Sequence, residues 1–368
     1  MATQVASERV YNFSAGPAVL PVPVLEQIRD EMLCLPGAGA SVMELSHRSK
    51  AFVAIQQDAK DRISRLLGVG DNHEVLFLQG GSRLQFSMIP MNLLRGQATP
   101  AQYILTGSWG KNALSEAKKE GDVEVVYDAA ESNYDHVPDV ATLPIRDDAA
   151  YLHVTSNETI QGVQIHEDLQ VAPPLVCDVS SDFLHRSYDI ERYGLLYACA
   201  QKNAGPAGVT VVVVRKDLLA RSSSELPGYM NYNSHVGADS MWNTPPTFAV
   251  YVLGLVAKWI EDTMGGLDKM HAHNKTKSQL LYDVVDEFPA MYIGHARKEH
   301  RSLMNVTFRL PSDELQAEFL AAASAANLET LKGHRSVGGI RASVYNAMPI
   351  EGVKALASLM RDFASKRA

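Results

Sequence analysis

Lys202 is the residue whose chemistry most constrains this sequence. It follows the apolar run LLYACAQ and precedes Asn203-Ala204-Gly205-Pro206-Ala207-Gly208. An ammonium at the end of a buried strand is costly unless it is paired or chemically used. A desolvated lysine can attack a carbonyl carbon to form a Schiff base, whereas a solvated one merely decorates a turn. Asp178, in LVCDVSSDF, ends the apolar run one strand earlier. Such a carboxylate can cap a helix, or it can keep a pyridine nitrogen protonated, which makes that ring a stronger electron sink. With both residues at successive strand ends, the incidental explanations must hold together, and the chemical one gains.

Three further segments fit the same chemistry. EVLFLQ runs into Gly80-Gly81-Ser82, a strand–turn–helix whose glycines let backbone approach an anion at the helix start. It contains neither GxGxxG nor GxxxxGK[ST], so dinucleotide and P-loop readings lack their defining residues. Trp109, in TGSWG, follows another strand and could stack on a flat ring or simply fill the core. Thr159, in SNETIQG, lies past a strand end, where its hydroxyl could meet a phenolic oxygen. Cationic pairs come from opposite ends of the chain: His47-Arg48 in MELSHRS, and His334-Arg335 with Arg341 in KGHRSVGGIRAS. Arginine forks bind carboxylate and phosphate bidentately. Two such sets suit a substrate with two separated anionic groups, although each alone would pass as solvated charge. No histidine shows HExxH spacing or a cysteine partner, so no metal is assigned.

The elements that must position these groups follow a rhythm of strand, turn and helix. Phe52, Ile55, Ala59, Ile63, Leu66 and Leu67 recur at helical spacing, which predicts a helix from about Ser49 to Leu67 closed by Gly68. Strands are expected at EVLFLQ, QYILTG, VEVVYD, AAYLHVT, PLVCDVS, LLYACAQ and VTVVVVR. Several are continuous apolar runs, as parallel strands covered on both faces require. A helix over Phe248–Met264 ends at Gly265-Gly266, and a longer one covers about Leu267–Phe288. The remainder carries strand signals at LMNVTFRL and IRASVY and helix signals at DELQAEFLAAASAA and IEGVKALASLMRDFASK. The expectation is an α/β fold: a large, mostly parallel sheet domain over 17–266, and a smaller α+β domain over 267–368 joined by 1–16.

Composition sets outer bounds. The chain has 368 residues, 46% hydrophobic and 21% charged, which is ordinary for a globular protein. A net charge of -8 argues against general nucleic-acid binding. Cys34, Cys177 and Cys199 form no CxxC, and buried free thiols in a reducing cytosol are expected. MATQVASERVYNF has no basic start followed by an apolar stretch, so no signal peptide is expected. The longest apolar run, Phe248 to Ala257, is about half of what a membrane span needs. A cytoplasmic protein that binds no membrane follows as the expectation.

The segments FSAGPAVLP, SVMELSHRS, GGSRLQF, SNETIQG, DVSSDF, AQKNAGPAG, NTPPTF and KGHRSVGGIRASVYNAMP together resemble the phosphoserine aminotransferases of the class-V aminotransferase family. They run in that family's order from about residue 12 to residue 349. The resemblance implies a type I pyridoxal 5'-phosphate (PLP) fold and a homodimer with active sites at the subunit interface. It also implies that Lys202 is the Schiff-base lysine and Asp178 the partner of the ring nitrogen. Trp109 would stack on the ring and Thr159 would contact its phenolic oxygen. Ser82, Arg83 and Gln201 would lie on the phosphate side, with Asn243 and Thr244 reaching the phosphate from the neighbouring subunit. Arg48 and Arg341 would bind substrate carboxylate, and His47, His334 and Arg335 would surround the distal anion. The implied substrates are glutamate, 2-oxoglutarate, phosphoserine and 3-phosphohydroxypyruvate, with phosphohydroxythreonine of vitamin B6 synthesis as a further possibility. Ser82 and Leu84 stand where the family commonly has glycine, and Ala15 where some members have serine. An alanine–glyoxylate or serine–glyoxylate aminotransferase is the nearest alternative, but it has less need of a second anion site. A cysteine desulfurase would want a cysteine in a Gly/Ser-rich loop. A non-catalytic nucleotide-binding protein would leave Lys202, Asp178 and Trp109 without a joint purpose.

Overall fold

The computed structural model describes residues 9–367. From the N-terminus come β1 (Tyr11–Asn12), α1 (Val22–Glu31), α2 (Lys50–Leu67), β2 (His73–Leu78), α3 (Gly81–Leu93), β3 (Ala101–Leu105), α4 (Ser108–Ala117) and β4 (Val123–Asp128). Next are β5 (Leu152–Thr155), the short hairpin β6 (Asn157–Glu158) and β7 (Val163–Gln164), β8 (Leu175–Asp178), β9 (Tyr193–Cys199) and β10 (Thr210–Arg215). Helices α5 (Lys216–Leu219), α6 (Tyr232–Gly237), α7 (Thr247–Lys258) and α8 (Leu267–Glu287) follow. The chain then forms β11 (Ile293–Gly294), β12 (Asn305–Arg309), α9 (Asp313–Ala325), β13 (Leu328–Glu329), β14 (Ile340–Ser343) and α10 (Ile350–Ser365).

The expected α/β architecture with a mostly parallel sheet is what the chain adopts. Seven strands pair in the order β2-β10-β9-β8-β5-β3-β4. Only β10 runs against the others, pairing antiparallel with both β2 and β9. The run YGLLYAC of β9 is buried at every position because helices cover both faces of the sheet. β4 lies at an edge and is half-exposed, with Val125 and Asp128 facing water. A smaller antiparallel sheet, β11-β12-β14, backs onto a second core that includes Phe308, Phe319 and Phe363. Phe13 is buried in that second core, and β1 pairs in parallel with β13. These contacts tie the N-terminal segment to the C-terminal part of the chain.

Local sequence accounts for the helix ends. The Ser49 hydroxyl accepts from the Phe52 amide at 3.2 Å, and Gly68 stops α2 in the left-handed region at φ 67°. α7 lies on α2 at a point where Gly254 meets Ala59, so closely that a Cβ on Gly254 would stand 3.2 Å from the Ala59 Cβ. Val250, Leu253 and Val256 of α7 are buried, each removal from water contributing about 1.5–3 kcal/mol. The expected helix to Met264 differs in detail: α7 ends at Lys258, and a wider π-type turn, Trp259–Thr263, carries the chain to Gly265-Gly266. Cys177 and Cys199 are buried as expected, but Cys34 is exposed, since it lies beyond α1 in a turn outside the core. No helix among the described residues is long and apolar enough to cross a membrane.

Candidate active site

Because β2, β3, β5, β8 and β9 point the same way, their carboxyl ends open on one edge of the sheet, where α/β folds bind ligands. Each delivers one group there: β2 the Gly80-Gly81 turn, β3 Trp109, β5 Thr159, β8 Asp178 and β9 Lys202. A cleft of about 180 Å³ is lined by Ser82, Arg83, Trp109, Asp178, Gln201 and Lys202, with Gly80 and Gly81 at its wall.

Lys202 does not follow its strand directly. β9 ends at Cys199, and a tight turn from Ala200, whose carbonyl accepts from the Ala204 and Gly205 amides, projects the lysine into the cleft. Its Nζ donates to Thr159 Oγ1 at 2.8 Å and stands 5.1 Å from the Trp109 ring. Asp178 is buried at the last position of β8. No helix follows it, so it caps a turn instead: Oδ1 accepts from the Ser180 amide at 2.9 Å and the Ser180 hydroxyl at 2.5 Å. Neither bond engages Oδ2. Burial raises the Asp178 pKa, against the opposing pull of the Lys202 charge and the Ser180 bonds.

Gly80 and Gly81 take φ of 85° and 64°, which only glycine adopts at low cost, and they open α3. The first amides of that helix have no partner within it and face the cleft side with the positive end of the helix dipole. Ser82 Oγ lies 2.6 Å from Ser180 Oγ, linking this turn to the Asp178 loop. The exposed Arg83 reaches over the Trp109 ring at 5.4 Å. The Gln201 carbonyl accepts from the Ala18 amide at 2.9 Å, which fastens the N-terminal loop beside the lysine.

The cationic pairs are not gathered into this cleft. Arg341, on β14, is half-buried beside Thr307 and Gly338 in a narrow neighbouring cleft. His334 and Arg335 are exposed in the loop before β14, where His334 Nδ1 bonds the Ser336 hydroxyl at 2.7 Å. Arg48 is exposed and His47 half-exposed, in the turn before α2. Asn243 and Thr244 are exposed as well. The Thr244 carbonyl accepts from Gln79 Nε2 at 2.9 Å, and neither residue lines its own chain's cleft.

Glu158 and Ser180 emerge only from the structure. The Glu158 carboxylate is fully buried against the start of α4. The one signal for it in the sequence was Gly107 in TGSWG, since it makes room for an incoming side chain. Ser180 sat unremarked in DVSSDF.

The cleft suits PLP on its own evidence. Its donor set is a lysine, a buried carboxylate separated from the Gly80-Gly81 turn by β10 and β9, and an indole whose Nε1 is buried without a partner. The fold and these residues are those of a class-V aminotransferase, and the model of the family described as "Aminotransferase class-V" matches residues 10–356. The phosphoserine aminotransferase of Rhodopirellula baltica is 62% identical over 363 residues, 98% of this chain and 96% of that protein. The structure of the phosphoserine aminotransferase from Bacillus circulans subsp. alkalophilus superposes with a TM-score of 0.95 at 46% identity, covering 98% of this chain and 100% of that one. The PLP-bound phosphoserine aminotransferase from Trichomonas vaginalis superposes with a TM-score of 0.91 at 41% identity, covering 96% and 100%. The chain therefore belongs to the phosphoserine aminotransferases of the class-V aminotransferase family.

Proposed function

We propose that this chain uses PLP to move an amino group from glutamate to 3-phosphohydroxypyruvate, giving 2-oxoglutarate and O-phosphoserine for serine biosynthesis. The observation that carries the reading is the convergence of Lys202, Asp178 and the Gly80-Gly81 helix start on one cleft. When bound, PLP supplies a carbonyl carbon for the amino group and a ring that withdraws electrons from the substrate's α-carbon.

The protein's own part is positional and acid–base. Lys202 Nζ, oriented by Thr159, takes the proton from the substrate's α-carbon and returns one in the second half of the reaction. Asp178, fixed by Ser180, keeps Oδ2 for the ring nitrogen and holds a proton there. The α3 amides with Ser82, Arg83 and Gln201 take the cofactor phosphate, and Trp109 covers the ring face. In a homodimer, the exposed Asn243 and Thr244 reach the neighbouring subunit's phosphate site. Arg341 and Arg48 bind the substrate carboxylates, while His47, His334 and Arg335 receive the distal phosphate or carboxylate. One rim can serve both partners because both anions accept forked hydrogen bonds. The separate C-terminal core supports a division of the chain near the start of α8, where Leu267 and Met270 still pack in the large part and Leu281 in the smaller, with the N-terminal segment joining the smaller part through Phe13. A cytoplasmic enzyme fits this metabolism.

The test is an absorbance spectrum of the purified protein with PLP, before and after phosphoserine, glutamate or alanine. Bleaching of a yellow band by phosphoserine and glutamate, but not by alanine, is the expected result. A response to alanine alone would overturn the substrate, and no yellow band would overturn the cofactor.

A further inference from the structure

Trp109 presents a problem of anchorage. Its indole Nε1 is buried with no hydrogen-bond partner, so the polar end of the side chain does not hold the ring in place. The nearest aromatic neighbour, Phe86, is tilted at 49° with 6.5 Å between centroids, a loose contact rather than a clamp. What fixes this residue is its backbone. Glu158 Oε2 accepts from the Trp109 amide at 3.0 Å, and Oε1 accepts from the Gly110 amide at 3.0 Å. These are two of the amides that the start of a helix leaves unpaired, and a carboxylate is the group best suited to them.

The surroundings are shaped for that carboxylate. Gly107 has an extended φ of 174°, so glycine is not needed there for conformation. A Cβ on it would stand 2.4 Å from Glu158 Cδ, so glycine is needed for space. At Gly110, a Cβ would stand 3.6 Å from Oε1. The same short turn holds the other wall of the cleft. Thr159, the next residue, accepts from Lys202, and Gln161 Nε2 donates to the Ser108 hydroxyl at 3.0 Å. The Glu158 carboxylate, with the Gln161 bond beside it, therefore ties the Trp109 helix to the turn that carries the lysine's own contact.

We propose that Glu158 is a positioning residue, which holds the first turn of α4 so that the Trp109 indole keeps its face to the PLP ring. The inference rests on the reading of Trp109 as the ring's cover. Burial pushes the Glu158 carboxyl up to about 7 while the two amides pull it down, so its hold on α4 is made at the expense of desolvation.

The test is a double-mutant cycle of Glu158→Gln and Trp109→Ala, read by PLP titration of the visible absorbance, visible-region circular dichroism of bound PLP, and amide hydrogen exchange of the PLP-free protein. A glutamine presents an NH2 group to one of the two amides and loses a bond. E158Q should speed exchange at the Trp109 and Gly110 amides, weaken PLP binding about tenfold and reduce the dichroism of the band. In the Trp109→Ala background the same change should alter PLP binding less than about twofold. Unchanged exchange at the two amides, or a full tenfold loss that persists without Trp109, would overturn the proposal. If E158Q does not fold, Gly107→Ala displaces the carboxylate while keeping both groups, and the same cycle applies. A wild type that binds no PLP, or a Trp109→Ala variant that binds it unaltered, would instead sink the parent reading, with the exchange arm still deciding what Glu158 holds.

Discussion

Asp178 and Arg335 stand at opposite ends of the proposed site and are held in opposite ways. Asp178 ends a buried strand, is 4% exposed, and has one carboxylate oxygen fully engaged by Ser180. Arg335 is exposed in the loop before β14, and the side chain of its neighbour His334 bonds Ser336 within that loop. The floor of the cleft is thus set before any ligand arrives, while the rim spends its hydrogen bonds locally and can exchange them for a ligand's. A prebuilt floor suits a resident cofactor, which must be oriented once. A rim of exposed cations suits two substrates that differ at the distal anion, because neither geometry is imposed.

The sharpest break in this comparison is at the floor. Lys202→Ala should lower turnover by about 10⁴-fold, the upper range for a missing acid–base group, with the fold retained. Single-turnover loss of absorbance on adding phosphoserine measures it, and turnover near wild type would remove the lysine from its role. Asp178→Asn should lower kcat by roughly 10²–10³-fold, the cost of one preorganised electrostatic partner, with a smaller change in KM. A KM effect alone would show that Asp178 holds the loop and not the ring nitrogen.

The frame beneath the floor should also answer to pH. His153 is buried on β5 against Tyr197 of β9, and burial lowers its pKa to about 3. A histidine whose folded pKa is depressed contributes full stability above its unfolded value near 6.5. As pH falls below that, the unfolded chain takes the proton first and stability is lost. Between pH 6.5 and 5 the buried His153 costs about 2 kcal/mol. Denaturant unfolding of the wild type and of His153→Gln at the two pH values checks this, and an equal loss in both would exclude His153.

At the rim the effects should be smaller and specific to ligand. Arg341 is half-buried, and Arg341→Ala should lower kcat/KM for glutamate and phosphoserine alike by about 10–100-fold, the range for a hydrogen bond to a charged group. Arg335→Ala should act more on phosphoserine than on glutamate. Equal effects would mean that Arg335 does not meet the distal group.

This contrast also separates what could be read from the chain from what could not. The sheet was legible because LLYACAQ, PLVCDVS and VTVVVVR are apolar without alternation, and Lys202 and Asp178 because charge at the end of such a run is anomalous. Gly80-Gly81 was legible as a turn before a helix. Glu158 was not, since SNETIQG reads as a polar loop and the carboxylate's burial depends on the approach of α4 from a distant segment. The rim was legible only as residue types. Nothing in the spacing of His334, Arg335 and Arg341 tells that Arg341 is half-buried on a strand while the other two face water.

The mildest prediction tests that exposure directly. Charges in water are screened over a Debye length that shrinks from ~30 Å at 0.01 M salt to ~8 Å at 0.15 M, while groups inside the cleft floor feel little of this. An exposed pair contributes only about 0.2–1 kcal/mol, so raising salt over this range should lower kcat/KM for phosphoserine by no more than a few-fold. The fall should be steeper for phosphoserine than for glutamate, because phosphoserine brings the larger negative charge to His334 and Arg335. It should flatten in Arg335→Ala, since the screened partner is then gone. PLP binding, made at the floor, should change less over the same range. If salt weakened cofactor and substrate binding in parallel, the difference between a prebuilt floor and an open rim would not be one of exposure, and the rim would have to close over its substrate.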